Sequence, residues 1–138
     1  RAVHPPEQPL MTREIISTSD APKAIGIYSQ GVRVDRTVYL SGQVPLDPAT
    51  GQLVSGDMET QVRRVFANLK AVAQAAGCSL DDAVRFTVYL IDLAAFPIVN
   101  KVMAELLREP YPSRTTIGVA ALPRGALVEI DCILQRAS

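Results

Sequence analysis

An arginine and a pair of carboxylates are the residues of this sequence best suited to chemistry. Arg114 follows a proline and a serine at the start of a β-like run, where a guanidinium can form a bidentate hydrogen bond with a small carboxylate. Glu129 and Asp131 alternate with apolar residues and so project from one face of a strand. A carboxyl group in a partly closed cleft gains a raised pKa and can act as a general acid or base. Taken singly, these residues are explained more simply as a solvated loop arginine and a solvated strand face.

Polar residues at the ends of predicted elements form a second group of candidates. Tyr28 lies in an early loop, and Ser41 and Gly42 end a predicted strand, so they offer hydroxyl and backbone groups where binding sites often form. Asn100 lies on a predicted helix beside its apolar stripe, where an amide lowers helix propensity without a packing reason. Each of these, taken alone, also fits a turn or surface position.

The scarcity of histidine excludes several kinds of active site. The only histidine, His4, lies in the Pro-rich residues 1–10, which are predicted to be a disordered tail or expression scar preceding a single domain of residues 11–138. A domain without histidine cannot build a Ser/His or Cys/His nucleophile or a histidine-ligated zinc site. Cys78 and Cys132 are far apart and lack metal-ligand spacing, which favours two buried, reduced thiols. With no Gly-rich phosphate loop present, neither a metal nor a cofactor is predicted.

The composition is that of a globular domain with no electrostatic preference for nucleic acid. The 138 residues are 48% hydrophobic, enough to bury a core. Lys+Arg and Asp+Glu number 14 each, so the chain lacks the basic excess that nucleic-acid binding requires. No apolar run approaches the roughly 20 residues of a membrane span, and no signal-peptide core precedes the domain. A cytoplasmic protein without a membrane segment is therefore predicted.

Hydrophobic periodicity predicts an α+β domain. Three- and four-residue spacing of apolar residues predicts helices over 58–76, with Asp57 and Gly77 as caps, and over 96–107. The breaker-rich residues 44–56 predict a long loop. Alternation predicts strands at 13–16, 32–34, 38–40, 83–91, 115–120 and 127–134. Because two helices cover only one face of such a sheet, the other face is expected to pack on a copy of the chain in a homo-oligomer.

Short motifs follow one another in a fixed order along the chain. The most specific is S-G-Q-V-P-L-D-P-A-T-G at 41–51; the others include Y-S-Q at 28–30, V-N at 99–100, P-S-R-T-T at 112–116 and A-L-V-E-I at 126–130. From about Thr12 onward this pattern resembles the RidA/YjgF family of reactive-intermediate deaminases. The resemblance implies a chorismate-mutase-like fold: a mixed six-stranded sheet with two helices packed on one face, assembled as a homotrimer with sites between subunits.

The resemblance also implies roles for particular residues. The family arginine that Arg114 matches binds the substrate carboxylate, and the glutamate that Glu129 matches activates or orients water. Positions that line the same cleft in the family are matched by Tyr28, Ser41, Gly42, Asn100 and Thr116. The sequence departs from the family pattern at Ile27, Met103 and Gly118, which bear on the shape of the pocket.

The implied activity is that of a 2-iminobutanoate/2-iminopropanoate deaminase. Such an enzyme hydrolyses reactive enamine or imine intermediates, for example from 2-aminoacrylate, to 2-oxo acids and ammonia without a cofactor. The expected link to the pyridoxal-phosphate enzymes that make these intermediates is functional, without a stable complex. Two alternatives remain: a non-enzymatic module that binds small carboxylates, and an RNA-cleaving translation inhibitor as attributed to some relatives, which the neutral charge balance disfavours.

Overall fold

The computed structural model describes residues 12–137, which form six strands and two α-helices joined by loops and short 3-10 turns. The strands are β1 (Glu14–Ile16), β2 (Gly31–Val34), β3 (Thr37–Gln43), β4 (Ala83–Leu90), β5 (Ser113–Gly118) and β6 (Val128–Gln135); the helices are α1 (Met58–Ala75) and α2 (Phe96–Leu106). The strands make one sheet in the order β1-β2-β3-β6-β4-β5. Only β4 and β5 are parallel neighbours. This mixed sheet with two helices confirms the predicted fold class.

The ends of α1 are set by the predicted residues. Asp57 is the N-cap, and its side chain accepts a hydrogen bond of 2.9 Å from the Thr60 amide. Gly77, just past the last turn, has a φ of +76°, which a residue with a side chain rarely adopts. Pro97 lies in the first turn of α2, where its missing N–H leaves no helical hydrogen bond unmade.

The core lies between α1 and one face of the sheet. Val62, Phe66 and Leu69 of α1 are at most 2% exposed, and Phe66 meets Phe86 of β4 edge to face with ring centroids 5.7 Å apart. The core residues of β4 are Phe86, Val88 and Leu90, and Phe86 and Val88 pair with Cys132 and Ile130 of β6. Alternate residues of both strands therefore face the helices.

The intervening residues of these strands face away from the helices. On β4 they are Arg85, Thr87 and Tyr89, and on β6 they are Glu129, Asp131 and Ile133. Residues 12–137 supply no helix to this open face, which is mostly half-buried by its own side chains. The predicted homotrimer, which would cover the face with another copy, remains a prediction.

A buried amide ties the loop of residues 44–56 to α1. Asn68 is fully buried, and its Nδ2 donates to the carbonyl oxygens of Leu46 at 3.0 Å and Val44 at 3.4 Å. Leu46 also forms a β-bridge with Leu53 inside the loop. Because burying an amide is favourable only when it is hydrogen-bonded, this arrangement fixes the loop against the helix.

Strand β5 begins two residues earlier than predicted. The sequence predicted a strand over 115–120, from its β-branched run, whereas the strand is Ser113–Gly118. The parallel ladder pairs Arg85 with Ser113, and the Ser113 hydroxyl donates to the Val84 carbonyl at 3.0 Å, which draws these residues into the sheet. Arg114 therefore lies inside the strand, where its direction is fixed by the pleat.

Two further predictions concern the N-terminal tail and membrane-spanning segments. The tail predicted for residues 1–10, including His4, lies outside the described residues. Within residues 12–137 neither helix combines the length and apolar character needed to cross a bilayer.

Candidate active site

Arg114 is held on the helix side of the sheet by residues of α2. Its partner in the ladder is the fully buried Phe86, so its side chain starts from the core-facing side of β5 and reaches toward α2. Nη1 donates to Asn100 Oδ1 at 2.6 Å and to Met103 Sδ at 3.4 Å. Cζ lies 4.8 Å from the centroid of the Phe96 ring, a cation–π contact. Within residues 12–137 Arg114 forms no salt bridge, so Nε and Nη2 are available to an anion.

The guanidinium lies at one end of a cleft between α2 and the start of β5. The cleft has a volume of about 250 Å³, and its polar end consists of Arg114 and Asn100. The remaining wall is aliphatic or aromatic, formed by Met103, Ala104, Leu107, Tyr111 and Pro112. Such a cleft suits a small molecule with a carboxylate at one end and an apolar group at the other.

Thr116 carries a buried hydroxyl that lacks a partner. It follows Arg114 by two residues on the same face of β5 and pairs with Val88. Among the described residues no group hydrogen-bonds Thr116 Oγ1, although the atom is inaccessible to solvent. An unpaired buried hydroxyl is unfavourable by about 1–3 kcal/mol, so a water or ligand donor or acceptor here would be stabilised.

Glu129 lies on the open face, beside a second carboxylate. It pairs with Tyr89 across β4 and β6, and Asp131 pairs with Thr87 on the same face. The Tyr89 hydroxyl donates to Asp131 Oδ2 at 2.9 Å. Burial raises the pKa of Glu129, and the negative charge of Asp131 raises it further. Glu129 therefore retains a proton to higher pH than an exposed glutamate does.

Replacing Asp131 with asparagine is expected to lower the pKa of Glu129. The substitution removes the neighbouring negative charge, which makes ionisation of Glu129 easier, while burial keeps its pKa above the ordinary value. A ¹³C NMR titration of the Glu129 carboxyl group measures this directly. Asp131→Glu, which keeps the charge, is the control. An unchanged Glu129 pKa in the asparagine variant would contradict the coupling of the two carboxylates.

Ser41 and Gly42 form a bulge beside Glu129. The β3–β6 register passes from Leu40 opposite Cys132 to Gln43 opposite Ile130, so two residues of β3 oppose Asp131 alone. The Ser41 hydroxyl donates to the Ser29 carbonyl at 2.5 Å. A Cβ on Gly42 would lie 2.9 Å from Glu129 Cδ and still closer to Oε2. The Glu129 carboxylate can occupy this position because Gly42 has no side chain.

Tyr28 lines a different cavity from the cleft beside Arg114. Its ring is 47% exposed, and its hydroxyl accepts a hydrogen bond of 3.3 Å from the Ile25 amide. It borders a separate cavity of about 520 Å³ together with Thr18, Lys23 and other residues of the same loop.

The predicted site residues fall into two groups on opposite sides of the sheet. Arg114 and Thr116 pair with the core residues Phe86 and Val88, and Asn100 joins Arg114 from α2. Glu129 belongs to the open face, with Gly42 packed against its carboxylate. One chain thus places the Arg114 guanidinium and the Glu129 carboxyl group on opposite faces of the sheet without joining them.

Sequence reasoning missed the residues that orient the two principal groups. Phe96, Asn100 and Met103 recur at four- and three-residue steps, so they share one helix face. Asn100 was predicted as a site residue and Met103 was named only as a departure from the family pattern, whereas Phe96 was not a candidate. Tyr89 lies in the predicted strand 83–91 but was not a candidate, and its bond to Asp131 depends on the β4–β6 register. The helical spacing was a usable signal, whereas the register was not visible in the sequence.

Both cysteines are buried free thiols. Burial raises the pKa of Cys78 and, more strongly, that of Cys132, so neither is an activated nucleophile. In the part of the chain that the structure describes, no three His, Cys, Asp or Glu side chains cluster as metal ligands do.

Comparison with known proteins identifies the family. The profile described as Endoribonuclease L-PSP matches residues 18–135. A protein of Bos taurus named 2-iminobutanoate/2-iminopropanoate deaminase is 46% identical over 123 residues, which cover 89% of this chain and 90% of that protein. The crystal structure of RidA from an Antarctic Psychrobacter species is 49% identical with a TM-score of 0.86, and covers 88% of this chain and 98% of its own. E. coli TdcF with bound serine is 39% identical with a TM-score of 0.84, covering 90% and 99%. The chain belongs to the RidA/YjgF family.

Proposed function

We propose that this protein is a 2-iminobutanoate/2-iminopropanoate deaminase that hydrolyses small 2-imino acids without a cofactor. A 2-imino acid and one water molecule give a 2-oxo acid and ammonia. The observation that carries the proposal is the state of Arg114: a guanidinium fixed by Asn100 and Phe96, with no carboxylate partner among the described residues, at the polar end of a cleft. Relatives named as imine deaminases support an enzymatic role.

The proposed mechanism divides the work between Arg114 and Glu129. Arg114 binds the substrate carboxylate through its free N–H groups and sets the position of the C=N bond. Glu129 accepts a proton as water attacks the imine carbon, and then returns a proton to the nitrogen. Glu129 then transfers the hydroxyl proton to the nitrogen as the C–N bond breaks, so the carbonyl forms and ammonia leaves. The raised pKa of Glu129 makes its protonated form more accessible than that of an exposed glutamate, which suits a group that both accepts and donates a proton.

The placement of these residues on opposite sides of the sheet favours a site shared between two copies of the chain. Arg114 starts from the side that faces the helices, and Glu129 lies on the open face. We therefore propose a homotrimer in which Arg114, Asn100 and Thr116 of one subunit face Glu129, Gly42 and the loop residues Tyr28 and Ser41 of its neighbour. The exposed Tyr28 is then covered by substrate or by the adjoining subunit.

Mixed oligomers test this shared site. Arg114→Ala and Glu129→Gln chains, each inactive alone, are unfolded together in equal amounts and refolded. In a random assembly each position is filled equally by either variant, so about one quarter of the sites combine an intact arginine with an intact glutamate. Recovery of about one quarter of wild-type activity is expected. If the mixture stays inactive although light scattering shows oligomers of native size, Arg114 and Glu129 of the same chain act together and the shared site is wrong.

Replacing Gly42 with alanine is expected to lower the catalytic rate about 100-fold with little loss of stability. The added methyl group displaces the Glu129 carboxylate, and a displacement of about 1 Å is enough for an effect of this size. Steady-state kinetics and thermal unfolding measure the two properties. Ser41→Ala changes the same bulge without adding bulk, and it therefore shows how much of the effect comes from altering the bulge itself. Unchanged kinetics in the alanine variant at position 42 would remove Glu129 from the mechanism.

The experiment that tests the function couples the protein to a serine or threonine dehydratase, a pyridoxal-phosphate enzyme that releases the imine. Formation of the 2-oxo acid is followed against the spontaneous rate, with Arg114→Ala in parallel. Acceleration by the wild-type protein alone is expected. If neither protein accelerates the reaction but isothermal titration detects 2-oxobutanoate binding that depends on Arg114, the cleft belongs to a carboxylate-binding module.

A further inference from the structure

The cleft beside Arg114 is larger than a methyl or ethyl group requires. Its volume of about 250 Å³ lies beyond the guanidinium, and its wall is apolar except at the end formed by Arg114 and Asn100. For scale, a cavity of about 150 Å³ with aliphatic walls is enough to bind benzene. The side chain of 2-iminobutanoate would leave most of this apolar surface in contact with water.

Part of the wall is accessible to solvent, whereas its floor belongs to the hydrophobic core. Tyr111 is 57% exposed, and Ala104 is an exposed residue of α2 that turns its small side chain to the cleft. Met103 and Leu107 form the floor and are nearly buried. A concave apolar surface that ends at an unpaired guanidinium has the features of a pocket for an amphipathic small molecule.

Met103 connects the two ends of the cleft. Its sulfur accepts a hydrogen bond of 3.4 Å from Arg114 Nη1, and its side chain lines the apolar wall. Methionine has three rotatable bonds and a polarizable sulfur, so it adapts its shape to the group packed against it. A bound side chain would therefore contact the residue that also orients the guanidinium.

We infer that the preferred substrates are 2-imino acids with an apolar side chain of four or more carbons, branched aliphatic or aromatic, whose side chain occupies the cleft lined by Met103, Ala104 and Tyr111. This inference rests on the proposed function and deepens it. The reaction is the same hydrolysis: water forms the new C–O bond, the C–N bond breaks, and ammonia leaves. Arg114 binds the carboxylate, and the cleft selects the side chain.

The size of the preference follows from the apolar surface removed from water. Each additional buried CH₂ group contributes about a fourfold gain in binding. The leucine-derived imine has two more side-chain carbons than 2-iminobutanoate, so complete burial would give about a 16-fold gain, and in a cleft open to solvent kcat/KM is expected to be about tenfold higher. Adding bulk inside the cleft removes this gain.

The experiment compares imines released in place by an amino-acid oxidase from leucine and from 2-aminobutanoate, with catalase present. The readout is the ratio of kcat/KM for the two imines. Ala104→Phe, which fills the cleft, is expected to lower that ratio about tenfold. Leu106→Phe is the matched control, since Leu106 lies on the same helix outside the cleft. A wild-type ratio at or below one, or a ratio unaffected by Ala104→Phe, overturns the inference.

Binding of the stable 2-oxo acids separates this inference from the proposed function. Isothermal titration with 4-methyl-2-oxopentanoate and 2-oxobutanoate is expected to show about tenfold tighter binding of the former, lost in Ala104→Phe. If neither imine is hydrolysed but this preference is present, the proposed function fails and the assignment of the cleft stands. Equal binding of the two acids overturns the assignment whether or not imines are hydrolysed.

Discussion

Replacing Arg114 with alanine is expected to reduce kcat/KM for 2-imino acids by about 100- to 1,000-fold. The substitution removes the charge-assisted hydrogen bonds to the substrate carboxylate, and with them the positioning of the C=N bond. The guanidinium is oriented in advance by Asn100 at 2.6 Å and by the ring of Phe96, so no other described cation replaces it in the cleft. Steady-state kinetics with an oxidase-generated imine measure the loss.

Arg114→Lys separates charge from geometry. Lysine keeps the positive charge but lacks the planar fork, so it is expected to restore only a small part of the lost activity. The fold is expected to persist in both variants, because only the cation–π contact and the bonds to α2 are lost, about 1 kcal/mol at a half-buried site. Full activity in the alanine variant, with native circular dichroism, would show that the carboxylate binds elsewhere.

Replacing Glu129 with glutamine is expected to lower kcat by about 100- to 10,000-fold with a much smaller change in KM. Glutamine keeps the shape that fits over Gly42 but cannot exchange a proton, so proton transfer is lost while binding at Arg114 remains. Glu129→Asp is the informative comparison, because it keeps the carboxyl group and withdraws it from its position. Wild-type kcat in the glutamine variant would eliminate acid/base catalysis by this residue.

The same substitution has an opposite effect on stability. The pKa of Glu129 is raised in the folded state by burial and by Asp131. A group with a raised pKa favours folding below its unfolded-state pKa, and this contribution is lost as pH rises through the folded-state pKa. Glu129→Gln is therefore expected to unfold at a higher temperature than wild type at pH 8 and to lose that advantage toward pH 4.

The fold was predictable because its strongest signals are local. The stripe of α1, the Asp57 cap and the Gly77 end all depend on residues within a few turns of helix, and the structure has them where the sequence predicted them. The start of β5 was not predictable in this way. Ser113 and Arg114 join the sheet because of parallel pairing with Arg85 and Phe86, almost 30 residues earlier, and no local pattern records that pairing.

The candidate site was predictable as a set of residues but not as an arrangement. Arg114 and Glu129 followed from motifs, yet their placement on opposite sides of the sheet depends on the registers of β5 and β6 against β4. The contact of Gly42 with Glu129 depends on a bulge that the sequence does not mark, apart from the glycine itself.

The buried amide of Asn68 has a consequence for the energetics of substrate binding. The 44–56 loop follows closely after the Ser41–Gly42 bulge, and its proline and glycine residues leave it without a helix or a long strand to order it. Here the bonds from Asn68 to Leu46 and Val44 order the chain beforehand. The conformational entropy of this segment is thus lost when the chain folds. Ordering the loop therefore does not weaken binding of the proposed imino acid substrate.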